Sequence, residues 1–270
     1  MSLPSDSRAL PAHLTDSAGT PWAGRHFESA PASDDDGSAP ELLARALAGF
    51  SSGAVGPETV VDALRESRLL IPLVAHLGEE AEGVAGLRAD KTQELSIVTV
   101  AGPDGRSVLP VFSSVDAMRR WDPSARPVPV DGRRAALAAV AEKTELMVLD
   151  PVSEYEFAVR RPAVWAIAEG APWHPSFGDP RVLAALRTGA ASEEAVASLE
   201  TLAGDPRQLL AGPELIVVLG VRPGLDRPSL DGLVERLGAR WAEDETVAAR
   251  VDSMSLRLAA SDAQERPAVR

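Results

Sequence analysis

The sequence predicts an α+β fold: a mixed sheet with packed helices, followed by a smaller α+β carboxy-terminal domain. Three observations predict it. Over residues 96–112, two apolar, β-rich runs, SIVTVAG and SVLPVF, flank the turn-forming GPDGR, the pattern of an antiparallel hairpin. Over residues 104–129, the second run leads directly into a capped amphipathic helix that halts at Trp121-Asp122-Pro123. After the turn-rich PWHPSFGDP of residues 172–180, a strand, a striped helix and another strand follow in a fresh series. Helices that alternate with strands, with at least one hairpin among them, favour a mixed layered sheet over a purely parallel one.

Element by element, residues 1–38 are rich in Pro, Ser, Gly, Ala and Asp without sustained periodicity, and read as a flexible lead. Within it Trp22 and Phe27 either dock on the folded body or stand exposed. A first helix begins near Glu41, with Leu42, Leu43, Ala46, Leu47 and Phe50 on one face and Ser51-Ser52-Gly53 as its breaker. A second follows Pro57 and carries Val60, Val61 and Leu64 at helical spacing. The dense run LLIPLVAHL reads as a strand buried on both faces, which Pro72 places at an edge or a bulge. Residues 79–92 form an acidic surface loop before the hairpin.

Ser113 or Ser114 caps the next helix, where Val115, Met118 and Trp121 face the core and Asp116 complements the helix dipole. PVPV is extended, Asp131 caps an Ala-rich helix through Glu142, and LMVLD is a strand that a short hairpin over residues 152–156 joins to FAV. Pro162 opens a helix through Ala168 that stops at Gly170. Beyond the linker, helices are expected at 181–187 and, with Ser192 as N-cap, at 193–203. GPELIVVLGV is a buried strand, and Asp226 and Pro228 open a helix striped by Leu230, Leu233, Val234 and Leu237. MSLRLA at 254–259 closes the series as a strand. Domains are thus expected at 39–171 and 181–260, joined by residues 172–180 and followed by a tail at 261–270.

Composition narrows the function. The 270 residues, 45% of them hydrophobic, suffice for real cores. A formal net charge of −13 argues against nucleic-acid or anionic-membrane partners, which require a basic footprint. Zero cysteines exclude disulfides, thiolate metal sites and cysteine nucleophiles. The opening residues lack a signal-peptide pattern, and no apolar run approaches the ~20 residues of a membrane span, so a cytoplasmic protein is expected. With only Lys91 and Lys143, lysine catalysis has few candidates.

No catalytic, cofactor or metal residue stands out. Asp34-Asp35-Asp36-Gly37 lacks the alternating ligands and terminal Glu of a calcium loop and reads as a solvated acidic turn. His13, His26, His76 and His174 show no zinc-type pairing, and His76, at the end of a strand, reads as structural. No serine lies in a G-x-S-x-G elbow or an S-x-x-K motif, and the glycines match no phosphate loop. Glu79-Glu80, Glu82 and Glu193-Glu194 fall in loops or first helical turns, where solvation and the helix dipole account for them. One candidate interaction surface remains, Arg119, Arg120 and Trp121, since Arg and Trp are enriched at interface hot spots. The plainer reading packs Trp121 at the helix end and leaves both arginines solvated.

The segments PWAGRHF, DDDGSAPELLARAL, LLIPLVAHLGEE, SVLPVFSSVDAMRRWDPSARPVPV and LMVLDP together resemble the SseB (enhanced serine sensitivity) family, especially its longer actinobacterial members, over most of residues 21–170. The resemblance implies a two-domain α+β protein in a bacterial cytosol and supplies no catalytic residue. The region after Arg181 is similar to that family's more variable carboxy-terminal domain. The sequence therefore leads us to expect a non-enzymatic binding or regulatory protein without a cofactor, contacting an unknown protein partner or itself through Arg119, Arg120 and Trp121. The alternative is an enzyme or sensor acting on an amino acid or related metabolite at an interdomain pocket.

Overall fold

The computed structural model of the chain describes residues 35–76 and 94–260. Trp22, Phe27, His13, His26 and nearly all of the expected lead lie outside the described residues, as do the acidic stretch expected at 79–92 and the tail 261–270. The structure is α+β with mixed sheets, and the described residues from Gly37 onward form one unit.

Helix α1 (Glu41–Ser51) buries Leu43, Ala46 and Leu47 against α2 (Pro57–Arg65) and the first core. Leu42 was expected on the same face but is 56% exposed, so the buried stripe is narrower than the periodicity suggests. Pro57 at the start of α2 forfeits no intrahelical bond, and Val60, Val61 and Leu64 behind it are fully buried.

Strand β1 (Arg68–His76) is central, between β2 (Glu94–Ile97) and β5 (Arg126–Asp131), both antiparallel to it. Pro72 therefore does not mark an edge strand, and the reason it is tolerated is local. Leu70 exchanges both backbone hydrogen bonds with Phe112, at 2.8 and 2.9 Å, on the side away from β5. Two residues on, Pro72 turns its donorless nitrogen to that same side, where the β2 ladder has already ended at Leu73 opposite Ile97. Pro127 and Pro129, opposite Pro72 and Leu70, turn theirs to the free outer edge of β5.

The expected SIVTVAG strand is broken in two. Glu94–Ile97 pairs with β1, while β3 (Val100–Ala101) pairs with β4 (Ser107–Val111) across the predicted hairpin, with Gly105 at φ +81 in its turn. The second sheet runs β3-β4-β6-β7, with β6 (Met147–Leu149) parallel to β4 and β7 (Phe157–Val159) antiparallel to β6. Both faces of this sheet are covered, which is why its strands are apolar throughout rather than alternating. Leu109, Val111, Met147, Leu149, Phe157 and Val159 meet α1, α2, α4 (Gly132–Ala141) and α5 (Arg161–Glu169), and Val108, Val148 and Ala158 meet Leu210. Gly132 is required where α4 starts, since a Cβ there would lie 2.2 Å from the Leu64 carbonyl oxygen. Helix α3 (Val115–Trp121) covers a smaller cluster with Leu70, Phe112, Met118 and Ala125.

A 3₁₀ turn (Ser176–Gly178) and α6 (Pro180–Ala190) lead into the third sheet. There β9 (Leu215–Val221) lies between β8 (Val196–Ala203), antiparallel, and β10 (Met254–Ala260), parallel. The crossover from β9 to β10 consists of α7 (Arg227–Glu243) and α8 (Glu245–Arg250). The expected helix at 193–203 is thus a strand. Its Ala, Leu and Glu content favours helix, but pairing along β9 decides the outcome. Gly220 permits the approach, because a Cβ there would fall 2.2 Å from Ser198 Oγ. Glu193 consequently lies outside any helix and bridges Arg236 at 2.7 Å and Arg240 at 2.9 Å on α7. On α7 the buried stripe is Leu233, Leu237 and Trp241, with Leu230 and Val234 only partly buried.

Candidate functional site

The parallel strands β4 and β6 end side by side, and side chains that follow the carboxyl ends of parallel strands are well placed to meet a ligand. Ser113 follows β4 and Asp150 follows β6. Asp150 is buried, and its two oxygens accept the Ser113 amide at 2.8 Å and the Ser113 hydroxyl at 2.6 Å. Ser114 is left to cap α3, accepting the Ala117 amide at 3.1 Å, which decides between the two serines. Burial pushes the Asp150 carboxyl above the ordinary carboxylate range, against the opposing pull of the Ser113 bonds and the Arg120 charge.

The turn that leaves Asp150 is strained. Asp150 has φ +47 and Val152 has φ +60, a left-handed conformation that a β-branched residue rarely adopts. Glu156 accepts the Val152 amide at 2.8 Å, and the Val152 side chain is 74% exposed. Strain of this kind costs roughly 1–3 kcal/mol and persists only where the surroundings over-determine it. Here the Ser113–Asp150 pair fixes one side of the turn and Glu156 the other.

Beside this turn lies a groove of about 610 Å³, walled by Leu47 and Ala48 of α1, Ser114, Arg120, Val152 and Tyr155. A second hollow of about 420 Å³ shares Leu47, Glu154 and Tyr155 with it and continues past Phe50 to Arg207 and Leu209. The two adjoin as a channel along α1, lined by Leu47, Phe50 and Tyr155 together with polar Ser153, Glu154 and Glu156, with exposed Val152 and Tyr155 at its lip and one arginine in each part.

Of the three residues singled out in the sequence, the structure brings only Arg120 to this groove. Arg119 is exposed beyond it, and Trp121 is half-buried, its ring 5.3 Å from that of Phe112. In the acidic turn before α1, Gly37 has φ +80 and its carbonyl accepts the Val115 amide at 2.9 Å. Among the described residues no group of three or more His, Asp or Glu side chains is placed to hold a metal ion.

Sequence reasoning missed a buried ionic cluster elsewhere. Arg160, 2% exposed, donates to Asp205 at 2.6 Å, to Asp252 at 3.0 Å and to the Gly212 carbonyl at 2.9 Å. Arg106 reaches Asp252 through two bonds of 2.9 Å and Asp104 at 2.8 Å. Burial pushes the Asp252 carboxyl up, but its bonds and charge pairing with Arg106 and Arg160 outweigh this and hold it below the usual range. Burial pushes neighbouring Glu214 up, and that side chain accepts the Asp252 amide at 2.7 Å. The cluster ties the β3–β4 turn and the end of β7 to residues 205–214 and the start of β10. Its one visible signal was Arg160 directly after the apolar FAV, because its partners lie 45 and 92 residues away.

The groove, with its serine, aspartate and strained turn, falls inside a recognised domain. Residues 43–166 match the SseB protein N-terminal domain. The match supports the resemblance to the SseB family and spans α1 through most of α5, so Ser113, Arg120, Asp150, Val152 and Tyr155 all lie in the SseB-like region. Asp205, Glu214 and Asp252 fall outside it. No curated protein and no solved structure matches the chain. No helix among the described residues is long and apolar enough to cross a membrane.

Proposed function

We propose that this is a non-enzymatic, cytoplasmic binding protein of the longer, actinobacterial SseB type, which takes an extended segment of a protein partner into the channel along α1. The observation that carries this reading is Val152, an apolar side chain held in solvent by a backbone conformation unfavourable to it. Strain maintained around an exposed apolar residue at the lip of a groove supports a binding role. Phe50, Val152 and Tyr155 offer apolar surface to one or two partner side chains beside Glu154 and Glu156, and Arg120 and Arg207 offer donors to the partner's backbone carbonyls. The interaction surface first read at Arg119, Arg120 and Trp121 is thereby moved onto Arg120 and the Val152 turn. Two domains, 39–171 and 181–260, belong to the same reading, each supported by a core of its own.

Panning a random peptide display library against the full chain tests the proposal. Peptides with a shared apolar position should be enriched, with binding that falls at least ~10-fold in Val152→Asp and Tyr155→Ala and is unchanged in Arg119→Ala. Absence of enrichment, or enriched peptides indifferent to both groove variants, would overturn it. So would a dimer in sedimentation that Val152→Asp dissociates, because the occupant would then be a second copy.

A further inference from the structure

We infer that a second site, independent of the channel, lies between α5 and α8 and binds a small organic carboxylate with a flat apolar body. The cleft there encloses about 350 Å³, inside the ~300–1,000 Å³ range of small-molecule sites. Trp165, Trp173, Pro162 and Pro172 give it flat apolar walls, and Arg161 and Arg250 give it charge. Trp165 is 38% exposed, a large aromatic surface left uncovered inside a concavity.

Three features specify the ligand. Trp173 lines the cleft, is itself buried, and its indole N–H has no protein hydrogen-bond partner, a deficit that few native groups carry. Arg161 is fixed by one nitrogen, Nη2, which donates to the Ala248 and Val251 carbonyls at 2.8 and 2.7 Å, and Arg250 by Nη1 on Asp179 at 3.2 Å. Both guanidinium groups are thus anchored with donors to spare, the pre-organised arrangement that suits a planar carboxylate. Finally, Asp179, which Arg250 contacts, is also paired with Arg181 at 3.0 Å, so Arg161, Arg181 and Arg250 outnumber Glu169 and Asp179 by one and leave room for a single negative charge within a chain of formal charge −13. A doubly charged phosphate would overfill that balance, and a neutral ligand would leave it unused. Because α5 belongs to the first core and α8 to the second, the bound molecule would bridge the two.

Intrinsic fluorescence titration of the full chain with phenylacetate, phenylacetamide and inorganic phosphate tests this. Phenylacetate should quench saturably, and the neutral amide and phosphate should bind at least ~10-fold more weakly. Trp165→Ala and Arg250→Gln should each weaken phenylacetate about 10-fold, and Val152→Asp should leave it unchanged. Arg250→Gln also disturbs Asp179, so Glu169→Gln serves as the second variant: removal of the opposing charge should tighten phenylacetate binding about 3-fold. The inference is overturned if phenylacetate shows no saturation by about 10 mM, if the amide binds equally well, or if Trp165→Ala and Glu169→Gln leave its affinity unmoved.

Discussion

Asp150 and Asp252 both keep a carboxylate away from water, and they do so in opposite surroundings. The Asp252 side chain, 1% exposed, touches two guanidinium groups, and that pairing holds its carboxyl low. Asp150 touches only the amide and hydroxyl of Ser113, with Arg120 acting at a distance, and burial drives its carboxyl high. An ion cluster at the junction of two cores, in which two arginines bridge Asp104, Asp205 and Asp252, is architecture. A buried carboxyl without a contacting cation, next to a turn held in a strained conformation, costs stability, and it borders the channel. The contrast separates what holds this fold together from what the fold displays.

Breaking the paired side should have the largest effect. Arg160→Ala leaves buried Asp205 without its cation and removes one of the two that hold Asp252, and should lower unfolding free energy by about 3–5 kcal/mol in urea titration. A loss below ~1 kcal/mol would remove the cluster as the lock between the cores.

The two carboxyls should also respond to pH with opposite slopes. Asp252 has a depressed native pKa, so its stabilisation is present above the unfolded value of about 3.9 and is lost as pH falls toward the native one. Asp150 has a raised native pKa, so its contribution is complete below about 3.9 and declines as pH rises through the native value. Relative to Asp252→Asn the wild type should gain stability between about pH 3 and 5, and relative to Asp150→Asn it should lose stability from about pH 4 upward, each by something on the order of 1 kcal/mol. Parallel slopes for the two variants in pH-dependent thermal unfolding would erase the distinction.

A smaller effect of unusual sign is expected at the turn. Glycine tolerates φ +60, so Val152→Gly should stabilise the protein by about 1 kcal/mol while removing the side chain offered to a partner. Destabilisation in chemical denaturation would mean that Val152 packs rather than displays. The smallest effect belongs to Arg119→Ala, expected within about 0.5 kcal/mol of wild type in stability and silent in peptide binding.

Much of the fold was legible because its signals are local. Ser114, Asp131 and Asp226 cap helices close to where the sequence placed them, Pro57 and Pro162 open helices, and Gly105 closes its hairpin. The misses arise where a partner distant in sequence decides. Residues 196–203 look helical until β9 pairs with them, and Pro72 looks like an edge marker until the Leu70–Phe112 bridge shows which way its nitrogen turns. The site was less legible for the same reason. Asp150 was visible as the end of LMVLD, but its bond to Ser113 spans 37 residues. Arg120 could be named from sequence, whereas the groove beside it exists only once α1 and residues 150–156 face each other.

The most direct measurement is a binding isotherm of a selected apolar peptide against wild type and Val152→Gly, with the stability of each protein determined in parallel. Display of Val152 for binding predicts that the variant is more stable yet binds at least ~10-fold more weakly. Equal affinity in the two proteins would contradict it, because the strained turn would then present nothing that the peptide uses.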